Sequence, residues 1–350
     1  MSVHELLHQW DLFSHFTPEQ LDQLAECSTL VSYPPKAIIL KEGEPTLDIY
    51  LIQSGNVRIQ RKTPYGKFAL ASLEPGVLFG EASFVDHGPR TGDAVTGSDA
   101  EIIAFAPGPL QELIERDQRF QLALYWAFWK SMSAKLRQTN ENLTQFFSTT
   151  RPAAVEEPIT HLQPGGEIRV DLAAKRKLFS EQKLSNMEIN FLTTLSKEKQ
   201  FTTNQVIFRE GDSAHEMYVV LEGRVMISKF IPGAGEEALA FIERGGYFGE
   251  MALIDNASRS ADAKAHDAGA VVLAIPREVL EGILDIHKIS SLRLLTILCN
   301  LVATRLRELD DKVITWFILA GGSGISWPVD HPKVQKGPTL APLGPGKPGS

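Results

Sequence analysis

The chain contains the same pattern twice, and this duplication constrains its fold more than any other feature of its 350 residues. A repeat long enough to bury its own core is a whole domain, not one turn of a solenoid. Residues Ile38 to Val57 (IILKEGEPTLDIYLIQSGNV) align without a gap on Val206 to Val225 (VIFREGDSAHEMYVVLEGRV), pairing Glu42 with Glu210, Gly43 with Gly211, Tyr50 with Tyr218 and Gly55 with Gly223 at an offset of 168. After one inserted residue the match resumes at offset 169, with Gly76 to Pro107 on Gly245 to Pro276, Phe79-Gly80-Glu81 on Phe248-Gly249-Glu250, and Arg90 on Arg259. Leu12-Phe13 and Leu178-Phe179 open the copies, and each copy ends by running from a proline into a helical pattern. The expected layout is a first domain at 8–147, a linker at 148–173, a second domain at 174–317 and a flexible Gly/Pro-rich tail at 318–350.

Within a copy, short apolar runs such as Ile49 to Ile52, Phe68 to Leu73 and Ile102 to Phe105 are broken repeatedly by Gly and Pro. That spacing predicts a mainly β sandwich or barrel with flanking helices. Gly55 and Gly223 sit between strand-like runs and are expected to supply the positive φ of a hairpin turn. A hydrophobic share of 43% and a charged share of 22% allow each copy a normal core. The formal charge of −8 argues against a general nucleic-acid or anionic-lipid surface. Cys27 and Cys299 stand alone, which implies neither a disulfide framework nor a zinc site and fits a reducing compartment. The N-terminus MSVHELLHQWDLF lacks the basic and apolar regions of a signal peptide, and no run approaches the roughly 18 apolar residues of a membrane span. A cytoplasmic protein with no membrane partner is expected.

The chemistry concentrates in two aligned cassettes, FGEASFVDHGPRTGDA at Phe79 to Ala94 and FGEMALIDNASRSADA at Phe248 to Ala263. Gly80 and Gly249 each precede a short helical stretch whose free backbone N–H groups suit an anion. Arg90 and Arg259 return from the far end of each loop, and a forked guanidinium matches phosphodiester oxygens better than a lysine does. Glu81 and Glu250, nine residues before each arginine, are acceptor-only and suit a sugar hydroxyl beside the phosphate. Ala82, Ser83, Ala252, Gly92 and Ala261 are small enough for close backbone approach, Met251 completes the second cradle, and Thr91 and Ser260 add a hydroxyl beside each arginine. An ordinary surface salt bridge would also explain one Glu–Arg pair, but not its recurrence inside the same frame.

FGExAL followed by a nearby arginine resembles the phosphate-binding cassette of cyclic-nucleotide-binding domains, and the resemblance covers residues 8 to 147 and 174 to 317. The tandem layout is similar to the regulatory subunits of cyclic-AMP-dependent protein kinase. The resemblance implies two cyclic-nucleotide-binding β-rolls, jelly-roll-like, each followed by a long helix. It also implies Glu81 and Glu250 on the ribose, and Arg90 and Arg259 on the cyclic phosphate. The first cassette departs from the family pattern at Ser83 and Phe84, the second at Ser258. The segment Ala134 to Asn140 is similar to the end of the long helix of bacterial catabolite activators, which suggests Thr139 and Asn140 as base contacts of the first site. Asp310, at the matching place in the second copy, could accept from a guanine edge. Cyclic AMP is preferred as the ligand, with cyclic GMP open and no further cofactor or metal.

Both post-roll helices repeat apolar residues every seven positions: Leu122, Trp129, Leu136 and Leu143 with Tyr125, Met132 and Phe146, then Leu295, Val302, Leu309 and Trp316 with Cys299, Leu306 and Val313. Such seams favour helix pairing. The pairing can join the two domains of one chain or make a homodimer, and packing on the own roll explains the faces equally well. No nucleophile–base or metal-ligand cluster is apparent, so no catalytic residues are expected, and His87, His161 and His215 read as surface histidines. Neither a helix-turn-helix nor an Arg-Arg-x-Ser/Ala inhibitory segment follows or precedes the domains. The expected function is a non-catalytic cyclic-nucleotide receptor that signals by conformational change to a separate, unidentified effector protein, without nucleic acid. A ligand-free scaffold and a regulatory subunit of a kinase or other enzyme are the alternatives.

Overall fold

The computed structural model describes residues 2–148, 165–231, 235–254 and 257–319. Most of the expected linker (149–164) and nearly all of the expected tail (320–350) lie outside the described residues. The first domain runs α1 (Val3–His8), a 3-10 turn at Asp11–Phe13, α2 (Pro18–Glu26), β1 (Ser28–Tyr33), β2 (Ile38–Leu40), β3 (Ile49–Ser54), β4 (Val57–Thr63), β5 (Gly66–Leu73), β6 (Leu78–Phe79), α3 (Glu81–Asp86), β7 (Asp93–Thr96), β8 (Ala100–Phe105), α4 (Pro107–Arg116) and α5 (Gln118–Ser148). The second repeats it: β9 (Gly166–Glu167), α6 (Leu172–Glu181), α7 (Asn186–Leu195), β10 (Lys197–Phe201), β11 (Val206–Phe208), β12 (Glu216–Ile231), β13 (Gly235–Ile242), β14 (Tyr247–Phe248), α8 (Met251–Ile254), β15 (Asp262–Pro276), α9 (Arg277–Ile283), a 3-10 turn at Ile289–Ser291 and α10 (Leu292–Leu319).

In the first roll two antiparallel sheets form, in the orders β1-β8-β3-β6 and β2-β7-β4-β5. In the second the same ribbons are continuous, because β12 spans the equivalents of β3 and β4, and β15 those of β7 and β8. The duplication therefore extends to strand pairing. Gly166–Glu167, expected as linker, adds a short strand to the edge of β10. Helix starts repeat as well: Thr17 with Gln20 and Ser185 with Glu188 form equivalent capping boxes, each satisfying orphan N–H groups at a first turn.

The hairpin expected at Gly55 and Gly223 is not formed. Both glycines have φ of +78° as anticipated. Yet β3 pairs with β8 while β4 pairs with β5 and β7, so the chain passes through Gly55 from one sheet to the other. Gly223 lies inside β12. The requirement for glycine is steric as well as torsional: a Cβ at Gly55 would stand 2.3 Å from the Asp99 carbonyl oxygen, and one at Gly223 would stand 2.1 Å from that of Gly269. Sequence shows a positive-φ break between strands equally for a turn and for a sheet-to-sheet corner.

The seven-residue seams meet each other. Leu122, Trp129, Leu136 and Leu143 of α5 and Leu295, Cys299, Val302, Leu309 and Val313 of α10 are buried in one cluster that contains residues of both domains. Cys299 donates its thiol hydrogen to the Tyr125 carbonyl at 3.3 Å across this seam. Each roll keeps a separate interior, around Ile52, Val57 and Phe79 in the first and Val220, Val225 and Phe248 in the second. The seam thus joins the two domains of one chain, the first of the two pairings expected for it. The far end of α10 continues onto the first roll, where Phe317 packs at a tilt against Phe68 with centroids 4.3 Å apart. The stretch Ile289–Leu319 is long and apolar enough to cross a membrane, with a mean hydropathy of 1.4, contrary to the expectation that no segment would be. Leu295, Leu298, Cys299 and Val302 of this stretch are fully buried in the shared core, and Arg305, Arg307, Asp311 and Lys312 make polar contacts with the rolls.

Because the core runs through both domains, a cavity in α10 weakens the first domain too. Leu298→Ala is expected to remove about 2–5 kcal/mol. In a chain carrying Trp316→Phe and Trp327→Phe, the remaining Trp10, Trp126 and Trp129 all belong to the first domain, and their fluorescence should report a lower guanidinium midpoint. An unchanged midpoint would mean that the two domains unfold independently.

Candidate functional site

Each cassette begins at a left-handed glycine. Gly80 has φ of +87° and Gly249 +75°. A Cβ there would stand 2.7 Å from Arg90 Nη1 and 2.6 Å from Arg259 Nη1, respectively. The glycines therefore serve both the turn and the seat of the arginine. Arg90 donates through Nη1 to the Gly80 carbonyl at 2.8 Å, through Nη2 to the Asp48 carbonyl at 2.7 Å and through Nε to Thr46 Oγ1 at 3.0 Å. Arg259 reaches the corresponding Gly249 and Glu216 carbonyls, and its guanidinium lies 4.1 Å from the Phe208 ring centroid. Its Nε is buried without a partner. The arginines are 5% and 4% exposed, and neither makes an ion pair among the described residues. Burial pulls both guanidinium groups below their ordinary values, against the upward pull of nearby Tyr50 and Asp48 in one case and Tyr218 and Glu250 in the other.

The glutamates are equally enclosed, at 1% exposed for Glu81 and 0% for Glu250. Glu81 Oε1 accepts from Ser131 Oγ at 2.9 Å and from Lys135 Nζ at 2.5 Å. Glu250 Oε1 accepts from Arg305 Nη1 at 2.5 Å, while its Oε2 is buried without a partner. The resemblance implied a ribose contact for these carboxylates. In this structure each is held first by a cation from the long helix of its own domain. Sequence reasoning missed Lys135 and Arg305, although they were detectable: at an offset of 170 they are equivalent, and both are basic.

A second pair of equivalent cations crosses between the domains. Arg137 of α5 donates to the Ser258 carbonyl in the second cassette at 3.1 Å. Arg307 of α10 donates to the equivalent Pro89 carbonyl in the first, forks onto Asp86 and reaches Ser83 Oγ at 3.1 Å. Beside it, Arg61 of β4 pairs with Asp311 of α10 and with Glu42 at 3.2 Å. Each cassette is thus closed by the helix of the other domain.

This crossing reassigns the expected base contacts. A cavity of about 630 Å³, including its open mouth, lies at the second cassette. It is lined by Gly249, Glu250, Met251, Ala252, Arg259 and Ser260, by Arg305 and Leu309 of α10, and by Leu136 and Asn140 of α5. Asn140, expected at the first site, therefore belongs to the second. Asp310, expected at the second, lies with Arg61, Lys135 and Arg307 at the first. Thr139 does not line this cavity, and its Oγ1 donates to the Lys135 carbonyl of its own helix at 3.0 Å. At the first cassette Gly80, Glu81 and Arg90 come together as anticipated, Ser83 is engaged by Arg307, Ala82 packs against the core, and Thr91 is half-buried. A repeat reveals which residues correspond, but not which roll the far end of a long helix reaches.

Asp310 is half-buried, and desolvation pushes its carboxyl up to about 7, with Arg61, Lys135 and Arg307 opposing and Asp311 reinforcing the rise. The folded state then keeps a proton that the unfolded chain has lost, so stability falls as pH rises from the ordinary aspartate range through about 7. Asp310→Asn removes that cost. Thermal melts should show the variant more stable than the unaltered chain at about pH 8, with the difference shrinking towards about pH 4. A difference independent of pH would contradict this placement of the carboxyl.

The family model of the cyclic nucleotide-binding domain matches residues 30–117 and 198–287, one match in each roll. A CRP-like cAMP-activated global transcriptional regulator of Mycobacterium tuberculosis is 29% identical over 232 residues, 64% of this chain and 95% of that protein. The cGMP-dependent protein kinase 2 of Homo sapiens is 20% identical over 277 residues, 79% of this chain and 30% of the kinase. Among solved structures, the regulatory domain of Toxoplasma gondii PKA with cAMP is 17% identical, with 84% of this chain and 93% of that one covered and a TM-score of 0.30. With a matched roll, glycine, glutamate and arginine in each half, the chain belongs to the cyclic nucleotide-binding domain family.

Proposed function

We propose that the chain is a non-catalytic cyclic-nucleotide receptor that takes ligand at two sites and passes their occupancy to a separate protein through the paired helices. The observation that carries this reading is the state of the two arginines: each is buried, with carbonyl oxygens as its main partners and no ion pair among the described residues. A buried cation without a counter-charge is costly, and a bound anion offsets that cost. In the second site the orphan Arg259 Nε and the orphan Glu250 Oε2 belong to side chains that line one cavity. A donor for phosphate beside an acceptor for a hydroxyl fits a sugar phosphate.

Signalling follows from competition. A ribose hydroxyl that donates to Glu81 contends with Lys135 and Ser131 on Oε1, and one that donates to the free Oε2 of Glu250 draws on the charge that Arg305 holds through Oε1. Ligand therefore alters the hold of each roll on its long helix, and it shifts the conformational equilibrium only by its differential affinity for the two arrangements. The named relatives respond to cAMP or depend on cGMP, and cyclic AMP is the first nucleotide to test. The partner is taken to be a cytoplasmic protein, not nucleic acid or a membrane, in keeping with the formal charge of −8. A ligand-free scaffold is favoured by one observation, the full engagement of Glu81 Oε1 by Ser131 and Lys135.

Calorimetry separates the readings. Arg259→Ala should weaken cyclic AMP binding at the second site by about 2–5 kcal/mol, the scale for removing one partner of a buried charge pair. An unchanged affinity would refute the site, and no heat of binding from the unaltered chain with either nucleotide would select the scaffold.

A further inference from the structure

The pseudo-twofold relation between α5 and α10 provides an internal control on the sites. At an offset of 170, Lys135 and Arg305 hold the glutamate of their own cassette, and Arg137 and Arg307 donate to equivalent carbonyls of the opposite cassette. Charge is kept at both of these positions. One turn further along, where each helix lies over the other domain's site, it is not: α5 presents Asn140 and α10 presents Asp310.

The amide is 6% exposed, lines the cavity at the second cassette, and its Oδ1 has no partner. A buried carbonyl oxygen without a donor is rare enough to need a reason. The carboxylate at the first cassette has cations nearby, but each is committed elsewhere: Arg307 to Asp86, Arg61 to Asp311 and Glu42, and Lys135 to Glu81. Asp310 itself makes no hydrogen bond or ion pair among the described residues.

Hydrogen-bond chemistry distinguishes the two groups. An amide offers one acceptor and one donor side by side, matching the amino donor and ring-nitrogen acceptor of an adenine edge. An ionised carboxylate, the form Asp310 takes above about pH 7, offers two acceptors, matching the ring N–H and amino donors of guanine, and it faces the lone pair of the adenine ring nitrogen unfavourably. We infer that the two sites read different purines: Asn140, supplied by the first domain, reads adenine at the second cassette, and Asp310, supplied by the second domain, reads guanine at the first. This assignment rests on the receptor reading above and adds to it a base for each site.

Calorimetry with cyclic AMP and cyclic GMP on the full chain at about pH 8, where Asp310 is ionised, tests the assignment, with Arg90→Ala used to isolate the second site and Arg259→Ala the first. The Arg90→Ala chain should prefer cyclic AMP, and adding Asn140→Asp should move the ratio towards cyclic GMP by about tenfold, the scale of one bidentate base contact. The Arg259→Ala chain should prefer cyclic GMP, and Asp310→Asn should move it back by a similar factor. Thermal melts check that each chain folds, and Arg90→Lys and Arg259→Lys replace either alanine variant that does not. Nucleotide ratios unmoved by both exchanges, or the same preference at both sites, overturn the base assignment and leave the receptor reading standing. Failure of the unaltered chain to bind either nucleotide overturns both.

Discussion

Burial of the α5–α10 seam is the interaction on which the other features of this molecule depend. Trp129, Leu136 and Leu143 on one side, and Leu295, Cys299 and Val302 on the other, leave water together and merge two domain cores into one. Every polar contact between the halves is a consequence of that alignment. Once the helices lie side by side, Arg137 arrives at Ser258, Arg307 arrives at Pro89 and Asp86, and Asp311 arrives at Arg61. The ion pairs contribute register more than stability, since partly exposed pairs add about 0–1 kcal/mol each.

The crossing gives the duplicated chain a property that two independent rolls would lack. A ligand at the second cassette meets the first domain's helix through Asn140 and Leu136, and one at the first meets α10 through the segment from Arg307 to Asp311. In the proposed receptor, each site therefore borders a helix rooted in the other domain. Lys135 and Arg305 give the proposed signalling a local origin, because each ties a cassette glutamate to the long helix of its own domain. Two conformations of one packed pair suffice, without a chain of intermediate residues.

Much of this was legible in the sequence where the chemistry is local. The cassette glycines Gly80 and Gly249 and the arginine at the end of each loop depend on residues within a dozen positions of one another, and the structure brings each pair together, with a positive φ at both glycines that sequence did not announce. The places where sequence was insufficient are long-range. Gly55 and Gly223 announced a break but not whether the chain turns back or passes to the other sheet, because both need the same φ. The heptad seams announced helix pairing without naming the partner. Thr139 and Asn140 looked like neighbours with one role, yet one bonds its own helix and the other faces the opposite domain, since adjacent helical residues point about 100° apart.

The central claim, that each site is completed by the other domain's helix, is tested most directly by hydrogen exchange on the chain carrying Arg90→Ala, so that nucleotide enters only at the second cassette. The account predicts slower amide exchange in α5 between Leu136 and Leu143, a segment of the first domain that borders the second site. Protection confined to the second domain's own strands and α10 would contradict it.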